Sequence, residues 1–249
     1  MALLKSTGNK KVNLDFNKEF INTFSEKIEN SNIEFINQTL KDLHEADVAN
    51  LIENLNPNTR IKLIELEAFN INPEIFVELN ESIQSEVLQL LSIDSIIKII
   101  KRLESDNAIK ILENLEKDTK EKVLDKLPPK DKFLLEEGLS YPEDSAARIM
   151  QREFTAVPSN WTVGQTIDYL REDKDLPEEF LEIFIVDNDF KPIGTVPSSR
   201  VLRTSRDLKM NSIMIEMPVL ISANMDKEEV GHTFENYNLV SAGVVNKNN

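Results

Sequence analysis

Carboxylates are the side chains in this sequence best supplied for chemistry: 44 Asp and Glu stand against 29 Lys and Arg and two His. They fall in adjacent pairs such as Glu136-Glu137, Glu178-Glu179 and Glu228-Glu229. Neighbours in sequence point apart on a helix or loop, so these pairs read as solvated charge rather than acid/base machinery. His44 has only Asp47 and Val48 at i+3 and i+4, which makes it a surface or cap residue and not a zinc ligand. No cysteine is present, so disulfides, thiol catalysis and thiolate metal sites are excluded. Six glycines, none in a phosphate-cradling loop, and no nucleophile elbow complete the picture of a protein that is not an enzyme.

The net charge of −15 argues against a nucleic-acid partner, because backbone binding relies on clustered Lys and Arg to displace counterions. Residues 1–140 carry 18 basic and 26 acidic side chains; residues 141–249 carry 11 and 18. Two bodies of like charge repel unless cations sit between them, although screening over about 8 Å limits this to close pairs. The same charge also serves as a solvated surface that aids solubility. The most apolar runs, such as Ile96 to Ile100, are bounded by lysines within a few residues. A membrane span needs about 20 apolar residues, so none is expected, and Met1 to Lys11 lacks the apolar core of a signal peptide.

The elements that must hold these charges change character at Tyr141 to Met150, Tyr-Pro-Glu-Asp-Ser-Ala-Ala-Arg-Ile-Met. Pro142 disfavours helix at Tyr141, and Glu143, Asp144 and Ser145 can cap a short new helix turning Ala146, Ala147, Ile149 and Met150 inward. This reads as a hinge between a domain at 1–140 and one at 141–249. Before it, apolar residues recur at helical spacing: Phe20, Ile21, Phe24 and Ile28; Ile33, Ile36 and Leu40; Val48, Leu51, Ile52 and Leu55. Asn56-Pro57, Asn72-Pro73 and Leu127-Pro128-Pro129 punctuate eight to ten short helices. Laying 43–64 over 103–124 matches Leu43, Glu53, Asn54, Leu55, Thr59 and Lys62 to Leu103, Glu113, Asn114, Leu115, Thr119 and Lys122. Helix pairs that repeat this way stack into an α-solenoid-like superhelix of either hand.

After the hinge the order is strand, helix, strand, strand, helix. The segments are Thr155-Ala156-Val157, a helix capped by Thr162, Ile183 to Val186, and Pro192 to Val196. A second pass begins at Met217-Pro218-Val219-Leu220-Ile221, runs through a helix from Asp226 to Tyr237 and reaches Val240 to Val245. The expected fold class is therefore α+β multidomain: an all-α superhelical N-domain followed by an α/β pair of motifs.

Tyr141 to Met150 resembles the junction Tyr-Pro-Glu-Asp-Thr-Ala-Gly-x-Ile-Met of the MgtE family of magnesium transporters. Leu43-His44-Glu45-Ala46-Asp47-Val48-Ala49 and Leu103-Glu104-Ser105-Asp106 are similar to segments of its helical domain. The second half resembles a tandem CBS pair whose second motif stops before its last strand and helix. The resemblance implies a cytosolic Mg2+-sensing region of a divalent-cation transporter, its pore outside this sequence, forming a homodimer through the CBS motifs. It also implies metal contacts from Asp106 and Glu228, with Asp226 and Glu235 as weaker ones. Lys110, Asn238 and Arg148 depart from the family's residues. Pro197 and Arg200 replace the hydroxyl and ribose carboxylate of nucleotide-holding CBS motifs, which implies weak or no nucleotide binding. The alternative is an interaction module, its helical repeat resembling flagellar motor switch domains and its CBS pair dimerising or sensing nucleotide.

Overall fold

In the computed structural model, residues 16, 18–67, 72–177, 179–217 and 219–246 are described. Met1 to Lys11, Glu178 and Pro218, all used above, lie outside them. The described residues fall into two compact units, one within Met1–Leu103 with Lys110–Pro128 and one within Glu104–Ile109 with Pro129–Asn249.

Ten helices precede the Tyr141 junction among the described residues: α1 (Lys18–Glu29), α2 (Ile33–Lys41), α3 (Glu45–Asn54), α4 (Pro57–Glu67), α5 (Pro73–Glu78), α6 (Glu81–Leu90), α7 (Ile93–Ile100), α8 (Ser105–Glu113), α9 (Lys117–Lys126) and α10 (Pro129–Ser140). Their starts follow from local chemistry. Asn32, Asn72, Asn80 and Ser92 each accept a first-turn backbone N–H with the side chain, satisfying donors that a helix leaves orphaned. His44 Nδ1 caps α3 in the same way, accepting from the Ala46 N–H at 3.3 Å. Pro57, Pro73 and Pro129 occupy first helical positions, where a missing N–H costs nothing.

The sequence repeat maps helix pair α3–α4 onto α8–α9. In the first unit α3 packs on α5, α4 on α6 and α7 on α9, each on the second helix along, as stacked pairs require, while α1 packs on α2 and α4. Phe24, Ile28, Ile36, Leu51, Ile52, Leu63, Phe76, Leu88 and Ile111 are among its fully buried side chains. Polar contacts repeat along the stack. Glu53 accepts from the Asn80 N–H at 2.7 Å, and Glu45 from Asn72 Nδ2 at 2.9 Å, each across 27 residues. Ile33, expected inward, is 46% exposed. It is the first residue of α2, directly after the cap, where helical spacing alone does not tell which face a neighbour covers.

The second unit carries the strands, and none occurs before Ala156 among the described residues. Beyond α11 (Ala146–Ile149), it contains β1 (Ala156–Pro158), α12 (Val163–Glu172), β2 (Glu182–Val186), β3 (Pro192–Pro197) and α13 (Ser198–Arg203). Then come α14 (Met210–Ile213), β4 (Ile215–Glu216), β5 (Ile221–Ser222), α15 (Lys227–Tyr237) and β6 (Val244–Val245). One sheet has the order β1-β2-β3-β4, with β1 parallel to β2 and the other pairs antiparallel. The parallel pair needs a crossover, which α12 supplies. Thr162 and Gln165 close a capping box at its start, and Val157, Val163, Ile183, Ile185, Val196, Val201 and Met210 form the core beside it. A second, two-stranded sheet pairs β5 with β6 in parallel, joined through α15.

Two details differ from expectation. The second pass was expected to start at Met217, yet its strand is only Ile221–Ser222, and the preceding Ile215–Glu216 closes the first sheet as β4. Ile149 was expected inward but is 43% exposed. The single turn of α11 gives its packed face to Ala146 and Ala147, which meet β5 and α15.

Candidate functional site

The four acidic residues carried over from the resemblance lie in two places within the second unit. Asp106 is in the first turn of α8, half-buried, its Oδ1 accepting from the Asn107 N–H at 2.9 Å. The helix dipole favours a carboxylate there. Immediately before it, Ser105 is 5% exposed and donates its N–H (3.2 Å) and its hydroxyl (2.8 Å) to Glu153 Oε2. The Arg152 N–H closes the group by donating to Ser105 Oγ at 2.9 Å. Two carboxylates, Asp106 and Glu153, therefore serve the positive end of α8. Sequence reasoning missed Glu153, because its partner is 48 residues away and no spacing rule joins them.

This contact tests directly. Glu153→Ala is expected to destabilise the second unit by about 1–3 kcal/mol, since it strips two buried donors of their acceptor. The denaturation midpoint followed by circular dichroism measures it. A midpoint equal to wild type would show that water replaces the carboxylate without loss.

Asp226, Glu228 and Glu235 sit on α15. Asp226 is its N-cap, with Oδ1 accepting from the Glu228 N–H at 2.8 Å. Glu228 and Glu235 are exposed and seven residues apart, which places them on one face with His232 between them. Asn238 ends the helix in the left-handed region, φ 50°, its N–H donating to the Glu235 carbonyl at 3.2 Å. Among the described residues no three His, Asp or Glu side chains converge closely enough to hold a metal ion. What remains are single carboxylates, and a hydrated Mg2+, which keeps several of its waters, is held by one or two of these.

The Tyr141 to Met150 stretch is tied down on both sides. Arg148 Nη1 donates to the Gly138 and Tyr141 carbonyls at 3.1 and 3.2 Å, satisfying acceptors at and just past the end of α10. The Asp144 carboxylate pairs with the Lys227 ammonium and holds it above its ordinary pKa range, mainly through their hydrogen bond, with Asp226 and Glu143 adding smaller contributions. At the position where CBS motifs hold nucleotide, Pro197 precedes α13 and Ser198 Oγ hydrogen-bonds to the Phe180 and Leu181 carbonyls. The exposed Arg200 donates to the Ile213 carbonyl at 2.8 Å.

A helical-repeat unit that runs into an α/β unit built on a small mixed sheet defines a two-part architecture. Residues 43–144 match the MgtE intracellular N domain and residues 146–207 match the CBS domain. The two matches stand in the order of an intracellular N domain followed by a CBS domain. The chain is 23% identical over 111 residues to the magnesium transporter MgtE of Bacillus subtilis, covering 45% of this chain and 25% of that protein. It is 24% identical over 110 residues to MgtE of Enterococcus faecalis, covering 44% and 24%. The matched part of the chain thus spans about a quarter of the length of these curated relatives.

Among solved structures, the cytosolic domain of the Mg2+ channel MgtE in complex with ATP matches with a TM-score of 0.81 at 22% identity, covering 92% of this chain and 93% of that one. The soluble part of a magnesium transporter matches at 0.76 and 20%, covering 92% and 90%. Both likenesses show the fold. The ATP in the first goes against the expectation, drawn from Pro197 and Arg200, of weak or no nucleotide binding. That expectation judged one local segment, whereas a ligand pocket collects its groups from separated parts of a chain. Among the described residues no helix is long and apolar enough to cross a membrane.

Proposed function

We propose that this chain is the cytosolic regulatory region of a magnesium transporter and that it senses divalent cation through its acidic surfaces. The observation that supports this most is the pairing, in order, of an MgtE intracellular N domain with a CBS domain. Relatives named as magnesium transporters, of which the matched region is only about a quarter, support a pore elsewhere in the same protein. Homodimerisation through the CBS unit is part of the same reading. Asp106 and Glu228 are the principal cation contacts, and Asp226 and Glu235 the lesser ones. Mg2+ is here the sensed ion, held outer-sphere or by single carboxylates.

Cation binding acts by compacting the chain. An ion favours the compact state only through tighter binding there. Moving a two-state equilibrium from 1:99 to 99:1 takes about 5.5 kcal/mol of differential binding, more than one hydrated site supplies, so several ions act together. Small-angle scattering at about 20 mM Mg2+, against sodium chloride matched for ionic strength, tests it. The radius of gyration is expected to fall, and to fall less in Asp106→Asn. An unchanged radius in the wild type would refute cation sensing by compaction.

A further inference from the structure

We propose that Lys227 is a built-in cation that docks the Tyr141 to Met150 stretch onto the start of α15, so that this docking draws on no free divalent ion. The two segments lie side by side as an irregular antiparallel pair. The Ala147 N–H donates to the Ala223 carbonyl at 2.9 Å and the Ala146 N–H to the Met225 carbonyl at 2.7 Å. The Lys227 N–H returns to the Asp144 carbonyl at 2.7 Å, with Ser145 bridged to Asp226 between them. Ser145, Ala146 and Ala147 are 2%, 2% and 0% exposed, so the pairing is an interior one.

This pairing opposes acidic runs. Glu143 and Asp144 lie on one segment and Asp226, Glu228 and Glu229 on the other, brought together by the bridge between Ser145 and Asp226, and like charges brought close on paired strands repel. Lys227 is the sole basic residue within either 141–147 or 221–229. Its backbone N–H and its ammonium both engage Asp144. A tethered ammonium therefore stands where the juxtaposed carboxylates would otherwise require a counterion. A consequence for cation sensing follows: a divalent ion approaching Asp226 meets a fixed positive charge, whereas Glu235, farther along α15, does not adjoin it.

The test is hydrogen exchange at the Ala146 and Ala147 amides, with β2 amides as the reference for the rest of the unit. The pair is solvent-exposed, so the effect is local and modest. In the wild type, protection is expected to be the same in about 10 mM magnesium chloride and in sodium chloride of matched ionic strength. Lys227→Met is expected to lower protection at both amides by about threefold while β2 is unchanged, and Lys227→Arg to retain it. The proposal is overturned by magnesium-dependent protection in the wild type, by unchanged protection in Lys227→Met, or by a loss that includes β2 equally. It does not depend on the sensing reading. A radius of gyration insensitive to magnesium would end that reading and leave this one intact; magnesium-dependent protection at Ala146 and Ala147 would do the reverse.

Discussion

Arg60→Ala is expected to destabilise the helical unit by about 3 kcal/mol, well beyond the roughly 0–1 kcal/mol of an exposed ion pair. Arg60 enters from α4 with 4% of its surface exposed. Its Nε donates to the Ile52 carbonyl at 3.1 Å, which also accepts from the Leu55 N–H at 3.2 Å, and its Nη2 to the Leu55 carbonyl at 2.9 Å, just past the end of α3. Nη1 meets Glu86 Oε2 on α6 at 2.6 Å, and Glu86 Oε1 is itself buried with no other partner. One guanidinium thus joins three helices, α3, α4 and α6. Its removal takes the guanidinium donor from the Leu55 carbonyl and the counter-charge from the Glu86 carboxylate at once. Lysine should recover only part of the loss, because a single ammonium does not reproduce the planar fork. Urea denaturation monitored by helical circular dichroism measures both variants. A midpoint for Arg60→Ala indistinguishable from wild type would remove the guanidinium from any part in stability.

Gly194→Ala is expected to cost about 1–3 kcal/mol and to detach β4 from the first sheet. Gly194 pairs with Ile185 on β2 and Glu216 on β4. A Cβ there would lie 2.6 Å from the Ile215 carbonyl oxygen and 3.1 Å from Met214 Sδ. The closer atom is backbone, so relief requires a strand shift and not a rotamer change. Hydrogen exchange should show lost protection in β4 with the β1–β2 pairing kept. Unaltered exchange in β4 together with an unaltered midpoint would contradict this.

Much of the scaffold is legible from local patterns. The helical spacing of Phe24, Ile28, Ile36, Val48, Leu51 and Ile52 identifies side chains that are buried in the structure. The match of 43–64 to 103–124 identifies a structural repeat of helix pairs. Thr162 caps α12 as its sequence neighbours suggest. The exceptions share a cause. Two-residue strands such as β4 and β5 are too short to have a period, and Ile33 and Ile149 sit at or near the ends of their helices, where burial depends on which neighbour arrives.

The candidate site divides along the same line. Composition alone makes the protein acidic and free of thiols, and motif order alone carries its resemblance to the MgtE family, because both depend on residues close in sequence. Helix placement, caps and the change to strands after the junction are likewise local, set by hydrogen bonds within a few residues and by side-chain period. The partners of the charges are not. Glu153 on Ser105, Arg60 on Glu86, and Lys227 on Asp144 join residues 48, 26 and 83 positions apart. Coulomb attraction and desolvation act through space and carry no signature along the chain, so only the tertiary structure decides which carboxylates are already satisfied and which remain to meet a cation.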